Sequence, residues 1–509
     1  MKEESFEVRL GPGRMTVVTA VILFALLSYS LTSNMLTPLL PGLEKAYDVG
    51  STTAIWIVLV TLLAGAVFVP SLCRLGDVFD AKKGMVLLGL GALVAGGVLA
   101  AAAPGLPLLF VGRALQGIGL LVFPMAAGVV NDEFPVLRRK LAMGMMSAAL
   151  FVGIGTGGVL AALLVARSDG FRLVFWMSAA LPFVALPFVV AFLPRGRYST
   201  GRPGQWWREI DLPGALGFAV PAIALVIAFS KGADWGWSSP AVVILFVVAA
   251  ATFAAWVVVE RRVAKPLVDM KVFFSRPLWV NNSVAMLGGF GLVGGAVATS
   301  TFVQLPPVAG VHGFGLSAVQ GALIILPAES MTLFVGPVVG YLSRRAGKGL
   351  FLTGGAVVQM LGFVLLLTAH SSTAAIVVAM VVVGLGSGSV ASSFGLIYVE
   401  DVPPEHVGRL FGISPILANG VGGSLAGAVF AAVLTSHGVP GTRLPSERGF
   451  ETFWLIAGAV LLVGAAIASV YLVTYWAGFR GGDRAMARRE RVLPTEAANV
   501  PAATADQAG

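Results

Sequence analysis

The sequence predicts an all-α integral membrane protein: 14 transmembrane helices, in two six-helix bundles with two further helices inserted at the centre. Three observations carry that expectation. The 509 residues are 57% hydrophobic and only 12% charged, where a soluble domain carries about 25% charged residues. Fourteen apolar segments are long enough to be helices spanning a hydrocarbon core of about 30 Å, which takes about 20 residues. The loops between them alternate between rich and poor in Lys and Arg. In lipid only helices and closed barrels satisfy every backbone N–H and C=O, so each long apolar segment is expected to be a helix.

In chain order the segments fall at 17–40, 54–73, 84–103, 107–130, 141–166, 172–193, 212–230, 240–259, 278–304, 315–340, 349–368, 374–398, 408–435 and 453–477. With the N-terminus in the cytoplasm, 27 of the 34 Lys and Arg residues lie on the cytoplasmic side, 6 lie on the other, and Arg113 lies within a segment. That imbalance satisfies the positive-inside rule for a multi-pass protein of the cell (inner or plasma) membrane with both termini cytoplasmic. The bases sit in short loops beside the segments. The net charge of +9 therefore reflects topology and membrane lipid headgroups, and no nucleic-acid partner is expected. The first segment follows Glu3, Glu4 and Glu7 and is too long for the apolar core of a cleaved signal peptide. Cys73 is the single cysteine, so no internal disulfide is expected.

The expected division is an N-terminal six-helix bundle over 1–195, a linker with two extra helices over 196–271, a C-terminal six-helix bundle over 272–480 and a disordered cytoplasmic tail over 481–509. The tail is polar, Ala-rich and without periodicity. The linker opens on a Gly/Pro-broken loop, 194–211, whose Trp206 and Trp207 suit the headgroup level. The two bundles carry a repeat. Phe134-Pro135, Gly144 and Gly155 recur in the same register as Val402-Pro403, Gly412 and Gly423. Repeated halves with a midplane site between them are the usual construction of secondary transporters.

Enzyme signatures are absent. No G-x-x-x-x-G-K-S/T loop is present to hold ATP, and no cofactor is expected. His312, His370, His406 and His437 lie scattered in loops without metal-ligand spacing, so no metal is expected. Charge inside a span is costly, about 2.5–3.5 kcal/mol on insertion scales, and so draws attention to Arg113 in the fourth span and Glu329 in the tenth. A carboxyl withdrawn from water can take and release a proton, which makes Glu329 a proton-coupling candidate. The alternative is a hydrogen bond that only holds the bundle. Arg113 has three options: binding an anionic group, tuning a carboxylate or pairing structurally. Asp77, Asp80, Lys82 and Lys83 crowd the loop after the second span, and Asp132 and Glu133 close the fourth on the same side. They are either a latch that opens and closes or a solvated turn worth little energy. Thr32 and Asn34 in the first span, and Asn282 and Gln304 in the ninth, either line a polar path or hydrogen-bond between helices.

Several patches resemble the major facilitator superfamily, in its 14-span drug:proton antiporter branch, over nearly all of 15–480. Trp56, the run Pro70 to Asp77 and Lys82-Lys83 are similar to the loop motif G-x-L-x-D-x-x-G-R/K-R/K. Arg113, Gln116, Gly117 and Gly119, with Pro124, resemble the fourth-span motif R-x-x-Q-G. Asp211 to Gly214, Trp235 with Trp237, and Arg261 to Asp269 look like the sequences around the two extra spans. The resemblance implies a gating role for Asp77, Lys82, Lys83 and Glu133, proton coupling through Arg113 and Glu329, and a substrate pathway that includes Gln116 with Thr32, Asn34, Asn282 and Gln304. The sequence departs from the family pattern at Cys73 and Asp80, in a first span without its acid, and in Gly155-Thr156-Gly157-Gly158, which lacks the proline of the fifth-span motif.

The expected function is secondary active export of small amphipathic molecules, drugs or antibiotics, in exchange for protons by alternating access. The expected partners are that substrate, protons and membrane lipid, with the protein acting as a monomer. Two other readings stay open at this point: coupled or facilitated uptake of a specific metabolite on the same fold, and a membrane sensor or assembly protein that moves no solute.

Overall fold

The computed structural model describes residues 10–35, 39, 43, 46–48, 51–167, 171–196, 212–263, 268–308, 311–402, 410, 416–437 and 445–492. The apolar segments of the sequence become helices α1 (Pro12–Asn34), α2 (Ser51–Val78), α3 (Lys82–Ala102), α4 (Leu106–Glu133), α5 (Val136–Arg167), α6 (Phe171–Phe192), α7 (Leu212–Trp235), α8 (Pro240–Arg262), α9 (Arg276–Gln304), α10 (Ala318–Ala346), α11 (Lys348–Thr368), α12 (Thr373–Asp401), α13 (Gly423–Ser436) and α14 (Glu447–Val492). Among the described residues, 12 of them are long and apolar enough to cross a membrane, α13 when taken with the π-helical residues before it as Leu417–Leu434. The other two are α5 and α7, whose qualifying stretches are the shorter Val152–Val165 and Leu216–Phe229 inside helices of 32 and 24 residues. The expected count of 14 spans is thus supported to 12. Beyond the helices, a two-residue antiparallel ribbon, β1 (Pro307–Val308) with β2 (Val311–His312), caps the turn between α9 and α10.

Local chemistry sets the helix ends. Proline occupies the first turn of α1, α4, α8 and α9, where a missing N–H costs nothing. Ser317 and Gln320 form a reciprocal capping box at the start of α10. Gly347, at φ 80°, ends α10 and turns the chain directly into α11. The last helix differs from expectation. α14 continues to Val492, into the stretch expected to be disordered, because Ala485 to Arg491 is built of strong helix formers. The loop holding Trp206 and Trp207 lies outside the described residues.

The repeat in the sequence is a repeat in packing. α1 packs on α5 and α6, α3 on α4 and α6, and α2 on α4. Eight helices later, α9 packs on α13 and α14, α11 on α12 and α14, and α10 on α12. Glycine permits the same close approach in each half. A Cβ on Gly157 of α5 would lie 2.3 Å from the Leu31 carbonyl of α1. One on Gly422, in the π-helical turn (Ile416–Gly422) that opens into α13, would lie 2.3 Å from the Met286 carbonyl of α9.

The two seams between the halves differ. At one, α5 packs directly on α10. The related seam would bring α2 against α13, but α7 packs on both of these helices, and α2 reaches the C-terminal half at the π-helical turn (Ile416–Gly422) that opens into α13.

Candidate functional site

The α5–α10 seam is lined by glycine. Gly144 of α5 faces Gly336 of α10 beside Ser392 of α12, around a cavity of about 10 Å³, room for about one water. Two to three turns further along, Gly155 lies against Glu329. A Cβ on Gly155 would come within 2.5 Å of Glu329 Cβ and 3.2 Å of both Glu329 Cγ and Leu326 Cδ1. The glycine of the eroded fifth-span motif therefore makes room for the tenth-span acid. Glu329 is 6% exposed, and its Oε2 is buried without a hydrogen-bond partner among the described residues. A carboxyl so placed is a site for a proton or for a group that arrives with the substrate.

Arg113 belongs to the N-terminal half and is 4% exposed on α4. Its Nε donates to the Ile57 carbonyl of α2 at 3.1 Å, and Nη1 donates to Gln116 Oε1 one turn on. The backbone carbonyl of Arg113 accepts from Thr61 at 3.1 Å. Gln116 Nε2 passes the chain on to Ser178 Oγ of α6 at 3.1 Å, and Ser178 donates to the Phe175 carbonyl at 2.8 Å. Among the described residues no carboxylate lies within salt-bridge reach of Arg113. Dipoles rather than a counter-ion hold its charge. Thr32, Ser178 and Arg113 line one further small pocket with Met35, Val174 and Phe175. Arg113 and Glu329 do not bond to each other.

At the helix ends, Lys82 of α3 pairs with Asp132 of α4 and lies 3.9 Å from Asp77 of α2. The lysine's acid at the end of α4 is therefore Asp132, one residue before the expected Glu133, which is half-buried at the same helix end. A helix presents consecutive residues about 100° apart, so the two acids leave α4 in different directions. Lys83 points elsewhere, donating to the Val190 and Leu193 carbonyls at 2.7 and 2.8 Å, where it caps the C-terminus of α6.

The C-terminal half holds a counterpart that sequence reasoning missed. Lys348, first residue of α11, lies 2.6 Å from Asp401 and 3.0 Å from Glu400 at the end of α12. Tyr471 of α14 donates to the other oxygen of Asp401 at 2.6 Å. The repeat register carries the signal, since Asp132-Glu133 precede Phe134-Pro135 as Glu400-Asp401 precede Val402-Pro403.

The pathway candidates divide. Thr32 donates back to the Ser28 and Tyr29 carbonyls, at 2.8 and 2.7 Å. Asn282 accepts from the buried Tyr398 hydroxyl of α12 at 2.8 Å, tying α9 to α12. Gln304 is exposed at the end of α9 and donates to Ser300. The Asn34 side chain lies outside the described residues.

A bundle of long apolar helices in two related halves, with buried charge at and beside the seam, is the construction of a membrane transporter. The family profile of the Major Facilitator Superfamily matches residues 22–427, and the chain belongs to that superfamily. It is 28% identical to the multidrug resistance protein Stp of Mycobacterium tuberculosis, over 82% of this chain and 76% of that one. It is 27% identical to the tetracenomycin C resistance and export protein of Streptomyces glaucescens, over 84% and 77%. The crystal structure of the human organic anion transporter MFSD10 shares the fold at a TM-score of 0.63 and 15% identity, over 90% of this chain and 100% of that one.

Proposed function

We propose that this protein exports small amphipathic molecules, drugs or antibiotics, in exchange for protons, by alternating access of its two halves. The observation that carries the proposal is Glu329: a carboxyl buried at the seam where α5 packs directly on α10, with one oxygen lacking a hydrogen-bond partner among the described residues. An acid in that position loses its proton to one side and regains it from the other as the seam opens and closes. The names of Stp and of the tetracenomycin C exporter support drug efflux as the direction and substrate class.

In this reading α5 and α7 also cross the membrane, which makes 14 spans with both termini in the cytoplasm of the cell membrane. The bundles are 1–195 and 272–480, joined through α7 and α8, and one chain is the working unit. The Lys82 and Lys348 clusters then lie on the cytoplasmic side and tie helix ends within each half. Arg113 and Gln116, with Thr32, form the polar element of the N-terminal half that faces substrate or tunes the proton.

The test is proton movement in proteoliposomes on addition of lipophilic drugs, for wild type and Glu329→Gln. Substrate-driven proton flux in wild type, lost in the variant, is the expected result. Equal flux in both proteins would dismiss Glu329 as the coupling group. Substrate movement without proton flux in either would refute antiport.

A further inference from the structure

The geometry points to a transition-metal site of the Zn²⁺ class formed by His370, Glu447 and Glu451, at the end of the C-terminal half remote from Lys348. His370 follows the last turn of α11, whereas Lys348 begins that helix. Glu447 and Glu451 stand four residues apart on the first turns of α14, so they share one helix face. Single ligand atoms from the three residues lie within 4.8 Å of one another.

The imidazole is set up as a ligand. Its Nδ1 lies 2.8 Å from the Leu366 carbonyl, which can only accept, so Nδ1 carries a proton. In the neutral ring Nε2 then presents its lone pair to the carboxylates, at 2.8 Å from Glu447 and 3.8 Å from Glu451. A metal-bound histidine has this arrangement, its second nitrogen donating to a backbone carbonyl. The Phe302 ring, edge-on at 5.7 Å, and the Trp454 ring at 5.4 Å hold the imidazole in place.

A lone pair facing two carboxylates is repulsive, so either a second ring proton or a cation lies between the imidazole and Glu447. A second proton on the ring reaches Glu447 at 2.8 Å but leaves Glu451 at 3.8 Å, beyond a hydrogen bond. A divalent ion satisfies both carboxylates and balances their charge. Arg448, exposed on the same turn of α14, is the other charged side chain in this stretch of helix.

Distances suit Zn²⁺. Bonds of about 2.0–2.1 Å in a tetrahedron place ligand atoms about 3.3 Å apart. The two spacings from His370 bracket that value, and the three ligand atoms, all within 4.8 Å of one another, need only draw in around an ion. Both are partly exposed, so a fourth position is open to water. One imidazole with two carboxylates selects Zn²⁺ or a neighbouring transition ion over Mg²⁺ and Ca²⁺, which prefer all-oxygen shells. In the topology proposed above this face lies outside the cytoplasm. The ion would lock the α11–α12 turn to α14 without crossing between halves.

The site is tested with Zn²⁺ alone, titrated by calorimetry into the purified full chain in detergent micelles. One saturable site per chain is expected in wild type and in His437→Ala. Affinity should fall at least about tenfold in His370→Ala and in Glu451→Gln. Glu451→Gln keeps the His370–Glu447 contact, so its loss of Zn²⁺ reports on the site rather than on folding. Absence of a stoichiometric site in wild type, or unchanged affinity in either His370→Ala or Glu451→Gln, would overturn the assignment in favour of a simple imidazolium–carboxylate pair.

Discussion

Gly155→Ala adds one methyl group at the point where the two halves meet. The new Cβ would lie 2.5 Å from Glu329 Cβ and 3.2 Å from both Glu329 Cγ and Leu326 Cδ1. Carbon atoms at rest stay about 3.5–4.0 Å apart, so α5 and α10 must separate by about 1 Å or α10 must rotate locally. Relief by rotamer change is unavailable, because the nearest atom is Glu329 Cβ, fixed to the backbone. Overpacking of this kind costs about 1–3 kcal/mol, which is roughly a 5- to 150-fold bias in any equilibrium between a closed and an open seam. The bias favours the open state. Two assays read it: the thermal midpoint of the purified protein, and substrate-driven proton flux in proteoliposomes. Both should fall in Gly155→Ala. Gly354→Ala on α11 is the control, since nothing lies within 4 Å of its added Cβ. Glu329→Gly in the same chain removes the clashing atom, so the pair should be non-additive in stability. A Gly155→Ala protein with wild-type stability and flux would refute the tight seam and the placement of Glu329 within it.

Lys82→Ala removes the partner shared by Asp132 and Asp77. With Asp132 partly exposed, the expected loss lies between surface and buried pairs, about 1–3 kcal/mol, read by thermal unfolding. Tyr471→Phe deletes a hydrogen bond to an ionised carboxylate and should cost about 1.5–3 kcal/mol in the same assay. Gln116→Leu strands the Nη1 donor of Arg113 without removing its charge. It should lower stability by about 1–3 kcal/mol, and Ser178→Ala should lower it less, because that change leaves the Arg113–Gln116 bond intact.

The length of the apolar segments and the charge of their loops made the helices legible, because spanning lipid leaves the backbone few options. The repeat was legible from the register of two Gly-containing stretches, and the packing follows it. Glu329 and Arg113 were legible for the same energetic reason, as charges where charge is costly. What surrounds them was not. Gly155 is one of 64 glycines, and only the crossing of α5 with α10 gives it a neighbour. The choice of Asp132 over Glu133 depends on helix phase, which a run of two acids does not reveal. His370 and Glu447 are separated by 77 positions, beyond the reach of any spacing rule.

The inserted helix α7 makes the two seams unequal, with a mechanical consequence. In a chain of two related halves, rocking would open α5 from α10 on one side and α2 from α13 on the other in equivalent ways. Here α7 packs on both α2 and α13, so it travels with one half and slides against the other, unless it moves independently of both. Packed interfaces tend to have a few discrete arrangements rather than deforming continuously, so one of the two contacts should stay fixed through the cycle. Engineered disulfides distinguish these cases. A cross-link between α7 and α2 and another between α7 and α13, each placed at facing Cα atoms about 5.5–6 Å apart, should differ in effect. One should leave transport near wild type, and the other should abolish it reversibly with reductant. Transport surviving both cross-links would mean that the α2–α13 side does not open. Loss in both would mean that α7 moves relative to each half, and either result would refute its attachment to a single half.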